Sequence, residues 1–172
     1  MTDRGRVSAS TRRRAHRLGT LLASPGDAWL MARICLWRLV LPVLKRRMPL
    51  PRLVGVMWAG PGRGRRSRER EARIAELVRF LFRSEHHSRS GNCLERSLVL
   101  YRYLSAAGAE PELMVGLRPR DAAQPRGHAW ITVGGALVAE SPDELGGVTG
   151  IVSFRGDGSR AQGPPVTPNA AG

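Results

Sequence analysis

The sequence predicts a small α+β domain in which helices come first and a short antiparallel sheet follows. Three observations carry this expectation. Apolar residues recur at helical spacing over 74–82 and again over 94–104. Three strand-like runs come next, Glu112–Leu117, His128–Val133 and Ala136–Glu140, with Gly134-Gly135 turning the last two into a hairpin. At 172 residues, the chain has room for one compact domain and little else.

The formal net charge is +14, and its distribution is uneven. Residues 1–70 hold 17 basic and 3 acidic residues, whereas residues 71–172 hold 11 of each. A nucleic-acid module that is basic throughout does not fit this pattern. A hydrophobic content of 42% is ordinary for a globular protein and excludes a wholly disordered one. Two cysteines cannot build a disulfide framework. The first long apolar run begins at Ala28, and no small-residue cleavage site follows it at signal-peptide spacing. The expected location is therefore cytoplasmic.

Taken in order, residues 1–17 are polar and Arg-rich, mostly unpacked, with a helix start available at Ser10. Leu18–Ala23 is short and apolar. Ser24-Pro25-Gly26-Asp27 has turn chemistry, and Asp27 is a fair N-cap for a helix over Ala28–Arg47. A membrane span needs about 20 mainly apolar residues. Here Arg33 and Arg38 interrupt the run and Pro42 would kink its end. One reading buries this helix against the domain with its arginines snorkelling to the rim. The other makes it an interfacial or partner-docking helix, anchored by Trp29 and Trp37, with Lys45, Arg46 and Arg47 on an anionic surface. The first is favoured because a domain this small is short of core.

Pro49, Pro51, Gly60, Pro61, Gly62 and Gly64 mark a loosely structured connection, and Arg63–Arg70 is a second basic cluster. From Ser67 the pattern Ile74, Leu77, Val78, Leu81, Phe82 predicts a helix ending near Ser84. A second helix over 92–107 has Asn92 or Ser90 to cap its start and Gly108 to end it. The organisation expected is a basic, mostly helical region over 1–66, a folded domain over 67–153 and a disordered tail over 154–172.

Cys93 falls in the first turn of its helix, where unpaired N–H groups and the helix dipole favour a thiolate and can face a developing oxyanion. Cys35, between Ile34 and Leu36, reads as core. His128 gains interest from Glu140, twelve residues later. A two-residue Gly134-Gly135 loop sets His128 against Ser141 and turns Glu140 to the other face. A three-residue loop over Val133–Gly135, closed by a left-handed Gly135, sets His128 directly opposite Glu140. The odd-length loop is the expectation, since it lets the carboxylate fix the imidazole while the other ring nitrogen faces Cys93. In the even register the triad so drawn fails.

Cys93-Leu94-Glu95-Arg96-Ser97-Leu98, the Gly108 turn, a strand ending Val115-Gly116-Leu117, and Gly127-His128-Ala129-Trp130 together resemble the lasso-peptide leader peptidases. These are transglutaminase-like cysteine proteases that cut the leader from a ribosomally made precursor. The resemblance covers roughly residues 70–145 and implies a papain/transglutaminase-like fold. It implies catalytic roles for Cys93, His128 and Glu140, with glutamate replacing the family's commoner aspartate. Oxyanion and substrate contacts then fall near Asn92, Leu94 and Trp130, although Trp130 either walls the cleft or simply packs. No strand set for a fused leader-recognition module shows in 1–66, so the stand-alone form is expected. The partners implied are the precursor peptide, a separate leader-recognition protein and a lasso cyclase, with no nucleic acid. The basic N-terminal region, with Trp29, Trp37, Arg46 and Arg47, is the expected docking area, and a membrane surface stays open as an alternative.

Other signals are weaker. Adjacent His86 and His87 point differently in any regular element and lack a fourth ligand, so no metal is expected. No Walker-type loop occurs, and no cofactor is expected. Asp143 or Glu144 would replace Glu140 if the register slips, and Arg96 pairs Glu95 or Glu140 or faces solvent. Acyl transfer by the same triad, and a non-catalytic basic binding module, are the rival functions.

Overall fold

The structure, a computed structural model, describes residues 24–60, 62, 65–82, 92–118, 126–145, 147–155 and 157–161. Ser10, the 1–23 arm, His86, His87, Ser90 and the tail from residue 162 lie outside the described residues. The chain divides into two compact units, Met1–Leu36 and Trp37–Gly172, the boundary falling inside the first helix.

That helix, α1, spans Pro25–Arg47 and starts earlier than expected. Ser24, not Asp27, ends the turn: its Oγ accepts the Asp27 N–H at 3.1 Å, and its carbonyl accepts the N–H groups of Asp27 and Ala28. Pro25 occupies the first helical position, where a missing N–H costs nothing. α2, Leu50–Met57, replaces the loose connection read from the prolines. Pro49 stands at its N-cap and Pro51 in its first turn, positions where a fixed φ promotes a helix instead of breaking it. α3, Arg68–Phe82, follows Ser67, whose carbonyl accepts the Glu71 N–H at 3.0 Å. α4 runs Cys93–Ala106 and stops at Gly108, which takes φ +82.

Within the second unit, residues 37–47 of α1 lie on α3 and α4. Arg38 donates to the Leu81 carbonyl and sits 5.5 Å from the Phe82 ring centroid. The Arg102 guanidinium covers Trp37 at 4.7 Å, and Lys45 pairs with Glu95. Arg38 is thus an internal tie and does not snorkel to the rim. Among the described residues, no helix is long and apolar enough to cross a membrane.

The sheet comprises β1 (Pro111–Arg118), β2 (Arg126–Val133), β3 (Ala136–Val138) and β4 (Thr149–Phe154), in the order β3-β2-β1-β4 and antiparallel throughout. Both faces are covered. Partners Leu113 and Ile131 are buried on one face, and partners Met114 and Trp130 on the other join Leu145 and Val148. β4 was not among the expected strands. Its approach to β1 is very close: a Cβ on Gly116 would lie 2.3 Å from the Thr149 carbonyl oxygen, beside the register shift at Val115/Gly116. The chain also stays ordered past Phe154, where a disordered tail was expected. Phe154 bridges Arg160, and Ala161 N–H donates to the Ser153 carbonyl at 2.9 Å.

The hairpin corrects the expected register. Val133 pairs with Ala136, Thr132 with Leu137 and Ile131 with Val138, so the loop has two residues, not three. Gly134 and Gly135 both take positive φ, +58 and +80, as the type I′ turn requires at both central positions. A single left-handed Gly135 would have served the longer loop, but two consecutive glycines suit the shorter one.

Candidate active site

Because β3 ends at Val138, the outer edge of β2 before Ile131 has no strand partner. α4 takes that place. Ser97 Oγ donates to the Ala129 carbonyl at 2.9 Å, and Cys93 Sγ lies 3.8 Å from the Gly127 carbonyl. One helical turn separates Cys93 from Ser97, so a single buried hydroxyl sets the nucleophile candidate's height along the strand. Sequence reasoning missed Ser97; a hydroxyl among the apolar positions of a buried helix was the available signal.

Asn92 caps α4 through its carbonyl, which accepts the Arg96 N–H at 2.9 Å, and not through its side chain. Its φ −89 and ψ 22 are not the extended conformation of a side-chain cap. The first N–H groups of α4 are consequently not consumed by a cap. The backbone of Leu94, at the head of α4, and that of Ala129 both favour the ionised form of the Cys93 thiol.

Glu140 reaches His128 although the hairpin register turns it away. Ala139, directly after β3, adopts φ +64, the left-handed region, and breaks the alternation. Glu140 Oε2 then lies 2.9 Å from His128 Nε2, and Oε1 pairs with Arg96 Nη2. The carboxylate is only 2% exposed. Nε2 being taken, Nδ1 is the ring nitrogen left for the Cys93 thiol, with which His128 also hydrogen-bonds. Of the alternative carboxylates, Asp143 is exposed, and nothing is described of the Glu144 side chain.

Burial pushes the Cys93 thiol up, but the hydrogen bond and charge of His128, with the Ala129 and Leu94 backbone, outweigh it and leave the thiol below its ordinary value. Burial likewise disfavours imidazolium at His128, but the hydrogen bonds to Cys93 and Glu140 and their charges raise it to about 9. The two displacements agree in sense: each group's environment favours the charged form that a thiolate–imidazolium pair requires.

The remaining candidates are placed differently. Trp130 is 1% exposed and stacks 6.0 Å from His128, so it supports the imidazole from within the core and does not wall a cleft. Leu94 is half-buried. Cys35 is half-buried and not core, and both cysteines are free thiols. Trp29 is 67% exposed, Arg46 and Arg47 are exposed, and Trp37 is half-buried under Arg102.

Among known proteins, a profile of the transglutaminase-like superfamily matches residues 35–153, which include Cys93, His128 and Glu140. No curated protein and no solved structure matches the chain. The α+β architecture, with helices before a small antiparallel sheet, agrees with that profile. Chemistry of the cysteine-protease or acyltransferase type goes with it. The chain belongs to the transglutaminase-like superfamily.

Proposed function

We propose that this chain is a cysteine peptidase that removes the leader from a ribosomally synthesised lasso precursor peptide, with Cys93 as nucleophile, His128 as acid and base, and Glu140 as the orienting carboxylate. The observation that carries the reading is the His128 ring held between the Cys93 thiol and the buried Glu140 carboxylate. The Cys93 thiolate attacks the scissile carbonyl, and the N–H groups of Cys93 and Leu94 at the start of α4 receive the oxyanion. Collapse of the tetrahedral intermediate breaks the C–N bond as His128 gives its proton to the leaving amine. Water, deprotonated by His128, then releases the acyl group and restores the thiolate. The lasso substrate rests on the resemblance of the C-L-E-R-S-L and G-H-A-W segments. A separate leader-recognition protein would dock at the basic N-terminal region.

The test is Cys93→Ala against the precursor peptide, with and without a recognition protein, read by mass spectrometry. The variant should leave the precursor intact where the parent splits it into leader and core, their combined mass greater by one water. Undiminished cleavage by the variant refutes the peptidase. A leader joined through its new C-terminal carbonyl to an added amine, with no water gained, refutes hydrolysis in favour of acyl transfer.

A further inference from the structure

Arg96 is the least expected participant in this cluster. Its side chain is 10% exposed, and Glu140 is its one ion-pair partner among the described residues. Its Nε is buried with no hydrogen-bond partner there. A buried ion pair that is incompletely hydrogen-bonded contributes little to stability compared with apolar side chains of similar volume. Fold stability alone is therefore a poor reason for a guanidinium at this position.

Geometry supplies another reason. Beyond Val138 no strand pairing positions Glu140, and the left-handed Ala139 has already turned the chain out of the ladder. The carboxylate is fixed by its two side-chain partners, Arg96 on Oε1 and His128 on Oε2. Arg96 also stands one helical turn after Cys93 on α4. One rigid helix thus carries both the thiol and the cation that anchors the carboxylate. With the thiolate and imidazolium formed, the four groups alternate in sign and balance to zero.

We infer that Arg96 is a positioning residue: through Glu140 it holds the His128 ring toward Cys93 and supports the thiolate. This rests on the triad reading above, but its test needs no peptide substrate. Cys93 is alkylated with iodoacetamide across a pH series, with peptide mapping to separate it from Cys35. R96M should move the Cys93 midpoint upward, so that alkylation on the acid limb slows about tenfold, the change a one-unit displacement gives. R96K, which keeps the charge but not the planar fork, should recover part of the loss. E140Q should shift the midpoint in the same direction, and adding R96M to E140Q should shift it little further, because the arginine acts through the carboxylate.

A folded R96M with the parent's alkylation profile overturns the inference and leaves Arg96 a structural residue. Fully additive R96M and E140Q effects overturn it as well, since the arginine would then act on the thiol directly. Should R96M fail to fold, R96Q bears the same expectation and the same refutation. Continued precursor cleavage by Cys93→Ala would sink the peptidase reading without touching these alkylation outcomes, so the two failures are distinguishable.

Discussion

Replacing Glu140 with glutamine removes one charge while keeping the shape of the side chain that faces His128. The imidazolium stands at about 9 against an ordinary value near 6.5. Two of the four contributions that raise it come from Glu140, its hydrogen bond and its charge, the others coming from Cys93. Removal of the carboxylate should therefore return roughly one to two units, placing His128 near pH 7.5. In the proposed mechanism His128 must be protonated to release the amine, so the alkaline limb of activity is lost as pH rises through its pKa. At pH 8.5 the protonated fraction would fall by roughly eightfold, but by less than about 1.5-fold at pH 7. The imidazolium fraction of E140Q should thus fall about sixfold more at pH 8.5 than at pH 7, and the alkaline limb of kcat/KM should move down with it, while the Cys93 midpoint governs the acid limb separately. The direct assay is NMR titration of the His128 ring, assigned by comparison with H128Q, alongside the pH profile of precursor cleavage. A His128 midpoint in E140Q that coincides with the parent's would refute the assigned role of the carboxylate.

Two further changes test the frame of the site. Gly116→Ala should destabilise the domain by about 1–3 kcal/mol in urea or thermal denaturation, because the new methyl would meet the Thr149 backbone at 2.3 Å and β4 must move. An unchanged midpoint would mean that β1 and β4 are less closely apposed. Ser97→Ala should cost about 1–2 kcal/mol by stranding the Ala129 carbonyl, and it should lower kcat more than it raises KM as α4 loses its height along β2. Loss of stability with unaltered kcat would confine Ser97 to structure.

The parts of this fold legible in the sequence are those written locally. α3 and α4 follow their apolar periodicity, and the Cys93 and Gly108 ends of α4 fall within a residue of expectation. α2 is hidden in the sequence because prolines within a segment ordinarily break a helix, whereas Pro49 and Pro51 stand at its start, where they act as initiators. β4 is hidden because its identity as a strand depends on pairing with β1, some 35 residues earlier, which no short window of sequence records. The contact between His128 and Glu140 was anticipated, but for the wrong reason. The expected three-residue loop is absent, and the conformation of one alanine achieves what the register was asked to do. A left-handed Ala139 has no sequence signature, since alanine seldom adopts it. For Arg96 the sequence allows Glu95, Glu140 or solvent, and only tertiary structure selects Glu140.

The short β3 has a consequence for the durability of the protein. A strand edge with unsatisfied N–H and C=O groups is a template on which another chain can pair. In this domain the exposed stretch of β2 is shielded by the helix that carries Cys93, through the hydroxyl of Ser97. On the opposite side of the sheet, the end of β4 is covered by the return of residues 157–161, which pairs Arg160 with Phe154 and Ala161 with Ser153. Detachment of α4 would therefore disable the chemistry and uncover a sticky edge in the same movement. Inactivation and aggregation should begin together, at one temperature, and not as successive events.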